Sequence, residues 1–264
     1  MRIAVCIKQV PDTEARLRVS KDGRWLEEED LKYVINESDG YALEEGLKIA
    51  EATGGQVVVF SVGPERVKEA LRKGLALGAE RAVHLVDPAF QGGDALATAR
   101  ALAAAIRKEG AELVITGSQS DDVGYGSTGS MLAGFLGLPH AWLVMGLEVE
   151  AGGKSAKVTR EMEAGMNEIF RVSLPAVIEV QAGINQPRYA SLKGIMAAKK
   201  KAIDSPAPAD LGLDAGTVGL AGSKIEILSV DFPHSSKGAV MIDGDPASAA
   251  KKLVDKLQKE ARAL

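Results

Sequence analysis

Residues 112–137 have the sequence ELVITGSQSDDVGYGSTGSMLAGFLG, and this stretch decides the fold. Its apolar opening, Leu113–Ile115, predicts a buried strand, and the apolar residues within Met131–Leu136 are spaced like the inner face of a helix. The loop between them is rich in glycines, hydroxyls and acids, and Gly124–Gly129 matches the pattern G-x-G-x-x-G. A strand that leads through such a loop into a helix presents free N–H groups and the positive end of the helix dipole to an anion.

The spacing of this glycine loop differs from that of a dinucleotide-binding fingerprint. In a dinucleotide fold the glycines follow the first strand directly, and an acid comes about 20 residues later. Here the strand lies well inside the chain, and Ser118–Val123 intervene. The residues alone leave two interpretations open. One is a mononucleotide-type phosphate loop, to which Ser127 and Thr128 add hydroxyl donors; the other is a flexible loop whose glycines only satisfy turn geometry.

Composition argues against several classes of protein. The chain has 264 residues, of which 46% are hydrophobic, enough for one large α/β domain with or without an extension. Its 32 Lys and Arg against 36 Asp and Glu give a net charge of −4, which argues against a general nucleic-acid binder. Aromatic residues make up only 4% of the chain, which disfavours a stacking platform for single strands.

Cysteine and histidine usage indicates no metal site. Cys6 is the only cysteine, so an internal disulfide and a thiolate metal cluster are excluded. Its place in the apolar run Ile3–Ile7 predicts a small buried side chain. The three histidines, at 84, 140 and 234, are scattered without metal-ligand spacing, and we assign them no role.

The sequence predicts no membrane segment. No apolar run reaches the ~18 residues expected of a membrane span, and residues 1–10 predict a strand rather than a signal peptide. We therefore expect a soluble, intracellular protein of the cytoplasm.

Apolar runs and turn signals alternate along the first 137 residues. Each run that predicts a strand is followed by a segment of helical periodicity, and Ser38 or Asp39 is the expected N-cap of the first helix. The predicted strands are Arg2–Ile7, Val57–Ser61, Arg81–Val86 and Leu113–Thr116. This alternation indicates βαβ crossovers, and therefore an α/β fold with a mostly parallel sheet and helices on both faces.

Loops after three of these strands should meet at one edge of the sheet. Ligands of parallel sheets bind at the carboxyl ends of the strands. This rule gathers Ile7–Val10, Ser61–Pro64 and Gly117–Gly129 into one crevice. The crevice is therefore the expected binding site.

The pattern changes after Gly137. Trp142–Glu150 and Ala156–Met162 flank a Gly-Gly turn signal and predict a small antiparallel hairpin, with further strands at 168–172 and 175–180. Beyond residue 182 the chain predicts a loop, a short helix ending in cations and a Pro/Ala/Gly-rich arm. A strand is expected at Lys224–Val230, and a final helix opening at Asp245-Pro246 should bury Ala250, Leu253, Val254 and Leu257.

A longer motif lies in residues 183–201. It reads Asn185-x-Pro187-Arg188-Tyr189-x-x-Leu192-x-x-Ile195-Met196-x-x-Lys199-Lys200, and it resembles the signature of the electron transfer flavoprotein β-subunit family. The resemblance covers essentially the whole chain, through Lys8, the Asn36 segment, Ala76–Ala79, the glycine loop, Arg160-Glu161 and Leu174–Ala176. It implies an adenine-nucleotide-binding, Rossmann-like domain at 1–182. A recognition loop and a C-terminal arm that wraps the partner subunit should follow at 183–264.

The resemblance implies an electron carrier rather than an enzyme. In this family the β subunit pairs with an α subunit that holds most of the FAD. The heterodimer serves fatty acid oxidation, accepting electrons from acyl-CoA and related dehydrogenases and passing them one at a time to a membrane quinone oxidoreductase. The β subunit itself binds AMP, a structural nucleotide without redox chemistry. The sequence contains no evident nucleophile–base pair, which agrees with a carrier.

The family's AMP contacts fall on strand ends, on the segment before the first helix and on the glycine loop. By position they are Cys6, Asn36, Glu37, Ser38, Asp39, Val62, Gly117, Ser118, Gln119, Ser120, Asp122, Gly124, Gly126, Ser127 and Thr128. Backbone groups at Cys6 and Val62 suit adenine edges, and the Gly126–Thr128 corner offers N–H groups and hydroxyls to one phosphate. Asp122 would repel a phosphate, so we expect it to order the loop by accepting backbone N–H bonds.

The family's recognition loop docks the dehydrogenase. Its positions are Pro187, Arg188, Tyr189, Leu192, Ile195, Met196, Lys199 and Lys200. Leu192 resembles the leucine that anchors in a dehydrogenase pocket. Judged from the residues alone, such a leucine more often packs a loop against the helix that follows, and the cations near it more often form a solvated face. Arg160 and Glu161 match family positions near the subunit boundary, where Glu161 contacts the mobile flavin domain. Without the family they would be surface charges of a hairpin.

Two departures from the family pattern concern the AMP site. Asn36-Glu37-Ser38 stands where the family often has Asn-Pro-Phe, and Ser127-Thr128-Gly129 where it often has Gln-Thr-Gly. An electron-bifurcating branch binds a second FAD in place of AMP and tends to carry a Val-Gly-Pro-like run at this corner, so Thr128-Gly129 favours AMP. An ATP-using enzyme of related fold would need a phosphate loop near the first strand, which Gln9–Asp12 does not supply. An ATP-binding stress-type protein would not explain the tail after Gly183.

Overall fold

The computed structural model describes residues 1–233 and 238–263, and its centre is a large β-sheet. In chain order the strands are β1 (Arg2–Cys6), β2 (Gln9–Pro11), β3 (Tyr33–Ile35), β4 (Gln56–Val62), β5 (Arg81–Leu85), β6 (Leu113–Gly117), β7 (His140–Val149), β8 (Ser155–Glu161), β9 (Asn167–Ser173), β10 (Ala176–Val180) and β11 (Ile203–Asp204). Nine of them form one sheet in the order β11-β5-β4-β1-β6-β10-β7-β8-β9. The predicted α/β architecture is confirmed.

Helices connect the strands and cover both faces of the sheet. They are α1 (Glu37–Thr53), α2 (Lys68–Leu77), α3 (Ala95–Glu109), α4 (Thr128–Leu136), α5 (Leu192–Ala198), α6 (Gly219–Gly222) and α7 (Pro246–Lys256). Asp94 caps α3, because its Oδ1 accepts the N–H of Ala97 at 2.9 Å. Within the described residues, no helix is long and apolar enough to cross a membrane.

Strand β1 runs through the middle of the sheet and shows how the core is divided. It pairs in parallel with β4 on one side and β6 on the other. Ile3 and Val5 point to the α1 and α2 face, whereas Ala4 and Cys6 point to the α3 and α4 face. Both faces are buried, which is why the strand is a continuous apolar run. The prediction that Cys6 is buried is confirmed.

The antiparallel part of the sheet extends it beyond β7. Strands β7, β8 and β9 pair antiparallel to one another, as the hairpin signal predicted. A separate two-stranded sheet, β2 with β3, was not predicted. In the connection between β2 and β3, one isolated bridge joins Val19 and Leu26.

The predicted N-cap of α1 is wrong by two or three residues. Asn36 occupies the cap position, and Ser38 and Asp39 lie in the first turn of the helix. The physical reason is tertiary, because the side chains of Ser38 and Asp39 are buried against the ends of β1 and β6 instead of capping the helix.

The C-terminal part differs most from expectation. Ile203–Asp204 adds a strand beside β5, and Val218 is fully buried in the core. Lys224–Val230 forms no strand and is largely exposed. The final helix starts after Asp245 as predicted, yet Ala250, Leu253 and Val254 of its predicted inner face are exposed and Leu257 is only partly covered. Within the described residues this helix makes no extensive contact with a sheet or helix of the α/β domain. His234 lies outside the described residues.

Candidate functional site

The carboxyl ends of β1 and β6 are joined by one buried carboxylate. Asp39 accepts the N–H of Lys8 at Oδ2, at 2.7 Å, and the N–H of Gly117 at Oδ1, at 2.9 Å. Burial raises the pKa of Asp39 to about 7, although the two N–H donors oppose the shift. The loops after the two strands are thereby fixed against each other, and Ser61 adds the end of β4 by donating to the carbonyl of Ile7 at 2.7 Å.

Asn36 and Ser38 hold the start of the glycine loop. Asn36 Nδ2 donates to Ser38 Oγ and to the carbonyl of Gln119, both at 2.9 Å, and Ser38 Oγ donates to the same carbonyl at 2.7 Å. Asn36 Oδ1 accepts the N–H of Asp121 at 2.8 Å, and Asp121 Oδ2 accepts the N–H of Glu37 at 3.0 Å. The side chains of Asn36 and Ser38 are therefore committed to shaping the loop. Asp121 was missed from sequence.

Asp122 closes the middle of the loop. It accepts the N–H of Val123 at 2.8 Å, which confirms the expectation that it orders the backbone. The ammonium of Lys8 lies 2.6 Å from Asp122 Oδ1 and 3.4 Å from Ser120 Oγ. Burial works to raise the pKa of Asp122, but the bonds from Lys8 and Ser120 outweigh it and the pKa lies below its ordinary value. The acid and the cation together leave this part of the crevice close to neutral.

The loop ends in an uncapped helix N-terminus. Gly124 and Gly126 adopt left-handed φ angles of +61° and +57°, which turn the chain into α4. Ser127 occupies the cap position, but its side chain makes no capping bond. The N–H groups of Thr128 and Gly129 have no acceptor among the described residues. This corner therefore offers backbone donors and two hydroxyls to an anion.

A buried carboxylate that sequence reasoning missed lies beneath the same helix. Glu179 of β10 is 1% exposed, and its Oε1 lies 2.6 Å from Nε2 of His140. A Cβ on Gly129 would lie 2.3 Å from Glu179 Cδ, so only glycine fits there. Burial raises the pKa of Glu179 despite the bond to His140 and the N–H of Ser130. An acid inside the apolar run 176–180 was the available signal. It occupies the inner side of the α4 terminus and leaves the outer donors to a ligand.

The remaining crevice residues lie at the ends of β1 and β4. Cys6 pairs with Phe60 in the parallel register, and Val62 ends β4 two residues later. Burial, with a smaller contribution from Asp39, raises the pKa of the Cys6 thiol, so the group stays neutral. These positions can offer backbone groups and an apolar surface, but no charge.

Arg160 and Glu161 end strand β8, which belongs to the antiparallel extension of the sheet. Arg160 pairs with Glu168 at 2.6 Å, and Glu161 accepts from Gln181 Nε2 at 3.0 Å. The register through β7 and β10 places Arg160 level with Gly117, so the pair lies at the same edge of the sheet as the glycine loop, three strands away.

The segment 187–200 forms a separate surface over α1 and α2. Tyr189 is 97% exposed and Leu192 78%, and Ile195 and Met196 of α5 are also exposed. Arg188, in contrast, is turned onto α1, where it pairs with Glu44. Pro187 is partly covered, and Lys199 and Lys200 are exposed. The large apolar side chains of the segment are thus exposed.

Comparison with known proteins identifies the family. The model for the electron transfer flavoprotein domain matches residues 24–211. A relative from Methylophilus methylotrophus, named electron transfer flavoprotein subunit beta, is 42% identical over 256 residues, covering 96% of this chain and 97% of the relative. Proteins of the same name from Mycobacterium leprae and Thermoanaerobacterium thermosaccharolyticum are 40% and 37% identical, over 91% and 97% of this chain and 92% and 98% of their own. The chain therefore belongs to the electron transfer flavoprotein family and groups with its β subunits.

Proposed function

We propose that this chain is the β subunit of a heterodimeric electron carrier and holds one AMP in the crevice. The proposal that the crevice binds AMP rests on the uncapped N-terminus of α4, which follows two glycines in the left-handed conformation. The N–H groups of Thr128 and Gly129 and the hydroxyls of Ser127 and Thr128 would hold the phosphate. The ends of β1 and β4, at Cys6 and Val62, would face the adenine.

The proposed contact residues divide into two roles. Asn36, Ser38 and Asp39 shape the loop through bonds inside the protein, as does Asp122. The outer donors of the α4 corner are left for the ligand. The departures from the family pattern at Glu37, Ser38 and Ser127 are therefore compatible with AMP binding, because neither removes a backbone donor at the α4 corner.

The C-terminal part of this chain supplies the surface that we propose contacts the α subunit. Apolar side chains along it are exposed in the isolated chain: Leu228, Phe232, Val240, Met241, Leu253 and Val254. Exposed apolar surface of this extent is typical of a subunit interface. We therefore propose that residues 183–264 carry the recognition loop and an arm that wraps the α subunit, whereas residues 1–182 form the nucleotide domain. Arg160 and Glu161 would face the flavin domain of that subunit.

Electron transfer itself would use the FAD of the α subunit, which supplies one- and two-electron chemistry when bound. The role of this chain is then to hold the α subunit and to dock an acyl-CoA-type dehydrogenase through Leu192 and its neighbours. Lys199 and Lys200 would steer acidic partners, an effect that salt weakens. Electrons would leave to a quinone oxidoreductase, and the chain acts as a carrier in the cytoplasm, not as an enzyme.

Reconstitution tests this function. The chain is co-expressed with an α subunit and mixed with an acyl-CoA dehydrogenase and its substrate. We expect the flavin absorbance of the heterodimer to bleach, and to return when a quinone oxidoreductase and quinone are added. Turnover of ATP to AMP and pyrophosphate by the pure chain, with no flavin reduction, would overturn the proposal.

Thr128→Val should lower AMP retention. The substitution keeps the backbone N–H but removes a hydroxyl that would donate to a charged phosphate, a bond of about 1.5–3 kcal/mol, so affinity should fall roughly tenfold or more. AMP released from the purified heterodimer by denaturation is the measurement. Thr53→Val is the matched control and should retain AMP, because Thr53 lies at the end of α1 that is far from the crevice. Equal AMP content in Thr128→Val and wild type contradicts the phosphate assignment.

Leu192→Ala should weaken dehydrogenase coupling without affecting the fold. The side chain is 78% exposed, so its removal costs the isolated protein little. Burying it in a partner pocket contributes ~1.5–3 kcal/mol, so kcat/KM for flavin reduction should fall roughly 10- to 150-fold. Leu17→Ala, which removes an exposed leucine outside residues 183–264, is the control. An unchanged kcat/KM in Leu192→Ala removes the anchor claim.

A further inference from the structure

Helix α1 reaches from the crevice to the recognition loop. Its first turn carries Asp39, which ties the crevice strands together. Its next turns carry Glu44 and Glu45, which are only 6% and 5% exposed although both are acids. Glutamates are rarely buried to this degree unless they are paired. Both acids have partners at the base of the recognition loop, and Glu45 also pairs with Lys48 of α1 at 3.5 Å.

Arg188 forms a two-acid clamp onto α1. Its Nε lies 2.8 Å from Glu44 Oε2 and its Nη2 lies 3.0 Å from Glu44 Oε1, the parallel geometry of a bidentate pair. Its backbone N–H donates to Glu44 Oε2 at 3.1 Å, and the guanidinium also binds Glu51, with Nη2 at 3.1 Å from Oε2. The donors of the guanidinium are thus bound by Glu44 and Glu51 of the same chain, and little is left to bind a partner.

The two sides of the loop are fixed by further contacts. Asn185 Nδ2 donates to the carbonyl of Tyr41 at 3.1 Å and to Glu45 Oε2 at 2.9 Å. At the far end, Arg72 Nη1 donates to the carbonyls of Ala198 and Lys201, both at 2.6 Å. Helix α5 also lies so close to α2 that a Cβ on Gly194 would be 2.3 Å from the carbonyl oxygen of Ala76.

Between these anchors the apolar side chains are held outward. Tyr189 and Leu192 are the most exposed of them, and they follow Arg188 by one and four residues. A loop that is ordered before binding loses less conformational entropy when it docks. We propose that Arg188 is a positioning residue, which holds the recognition loop in its docking conformation through Glu44 and Glu51 and makes no contact of its own with the dehydrogenase. The inference rests on the proposed docking function of this loop.

A set of variants of the co-expressed heterodimer separates positioning from direct contact. Arg188→Gln should raise the KM for the flavoprotein about tenfold, the cost of reordering a few side chains on docking, and leave kcat at saturation unchanged. Glu44→Gln should raise KM in the same direction, although Glu44 is too buried to touch a partner. Glu51→Gln, which removes only the exposed half of the clamp, should have a smaller effect. Arg81→Gln breaks another arginine with two acidic partners, Glu109 and Asp204, and serves as the control.

Two results would overturn the positioning role. A normal KM in Glu44→Gln, beside a raised KM in Arg188→Gln, would make Arg188 a direct contact. Full additivity with Leu192→Ala would mean that Arg188 does not act by placing the anchor, because residues that act through one another show coupled effects. We expect instead that Leu192→Ala costs clearly less in the Arg188→Gln background.

Hydrogen exchange tests the clamp without any dehydrogenase. The amides of residues 189–198 should exchange faster in Arg188→Gln and Glu44→Gln than in wild type, and at the wild-type rate in Arg81→Gln. Unchanged protection in Arg188→Gln would contradict the clamp itself. A wild-type heterodimer that no acyl-CoA dehydrogenase reduces would instead contradict the proposed function, so the two failures are distinguishable.

Discussion

Gly117→Ala should both destabilise the protein and abolish AMP retention. A Cβ at this position would lie 2.2 Å from Ser38 Oγ, 2.5 Å from Asp39 Oδ1 and 2.8 Å from the backbone nitrogen of Asp39. Forcing a methyl group into a packed site costs about 1–3 kcal/mol. The atoms that must move are those that hold the start of the glycine loop, so the phosphate corner should be displaced as well.

The measurement is urea unfolding of the Gly117→Ala heterodimer together with its AMP content. Gly134→Ala is the matched control, because the new Cβ meets no atom within 4 Å and Gly134 lies inside α4. Alanine in a helix interior is favoured over glycine by about 0.5–1 kcal/mol, so this variant should be slightly more stable than wild type. Wild-type stability and AMP content in Gly117→Ala would show that the loop is not held as described.

Asp39→Asn should be destabilising, by about 1–3 kcal/mol at pH 5. Both carboxyl oxygens accept a hydrogen bond, one from the N–H of Lys8 and the other from the N–H of Gly117. An amide has only one acceptor oxygen, so its NH2 group must face one of the two donors and leave it unsatisfied. The strand ends that form the crevice would then separate, and AMP content should fall with stability.

The effect of Asp39→Asn should depend on pH in a defined direction. Burial raises the pKa of Asp39 from 3.8 to about 7. A group whose pKa is raised on folding stabilises the protein most below its unfolded pKa, and this stability is lost as pH rises through the folded pKa. The free energy of unfolding of wild type relative to Asp39→Asn should therefore decrease between about pH 4 and pH 7, with little further change above.

Unfolding free energies at pH 5 and pH 8 test this sign. We expect the difference between wild type and Asp39→Asn to be larger at pH 5. A difference that is equal at the two pH values, or larger at pH 8, would mean that Asp39 is not held in the low-dielectric environment described.

The sequence predicted the α/β domain well because its signals are local. Buried parallel strands are continuous apolar runs such as Leu113–Ile115, and N-cap residues such as Asp94 together with apolar periodicity predict helices. The glycine loop, its strand and its helix were placed correctly for the same reason. The order of strands in the sheet then brought the loops after β1, β4 and β6 together.

What the sequence did not reveal depends on tertiary contacts. The structure has Asn36 as the cap of α1, and not Ser38 or Asp39, because Asp39 accepts the N–H groups of two distant strand ends. Arg188 resembled a surface cation of the recognition loop, and only the structure shows its bonds to Glu44. The inner face predicted for α7 is exposed. Amphipathic periodicity predicts that a helix packs one face against a partner, but it does not predict which surface that partner is.

The central claim is that this chain, paired with an α subunit, forms a carrier with one structural AMP beside one flavin. The most direct test is to co-express the two subunits, denature the purified heterodimer and count the released small molecules. One FAD and one AMP per heterodimer is the predicted result. Two FAD and no AMP would contradict the AMP site and make residues 117–129 part of a second flavin site, as in electron-bifurcating members. A heterodimer without flavin would contradict the carrier function itself.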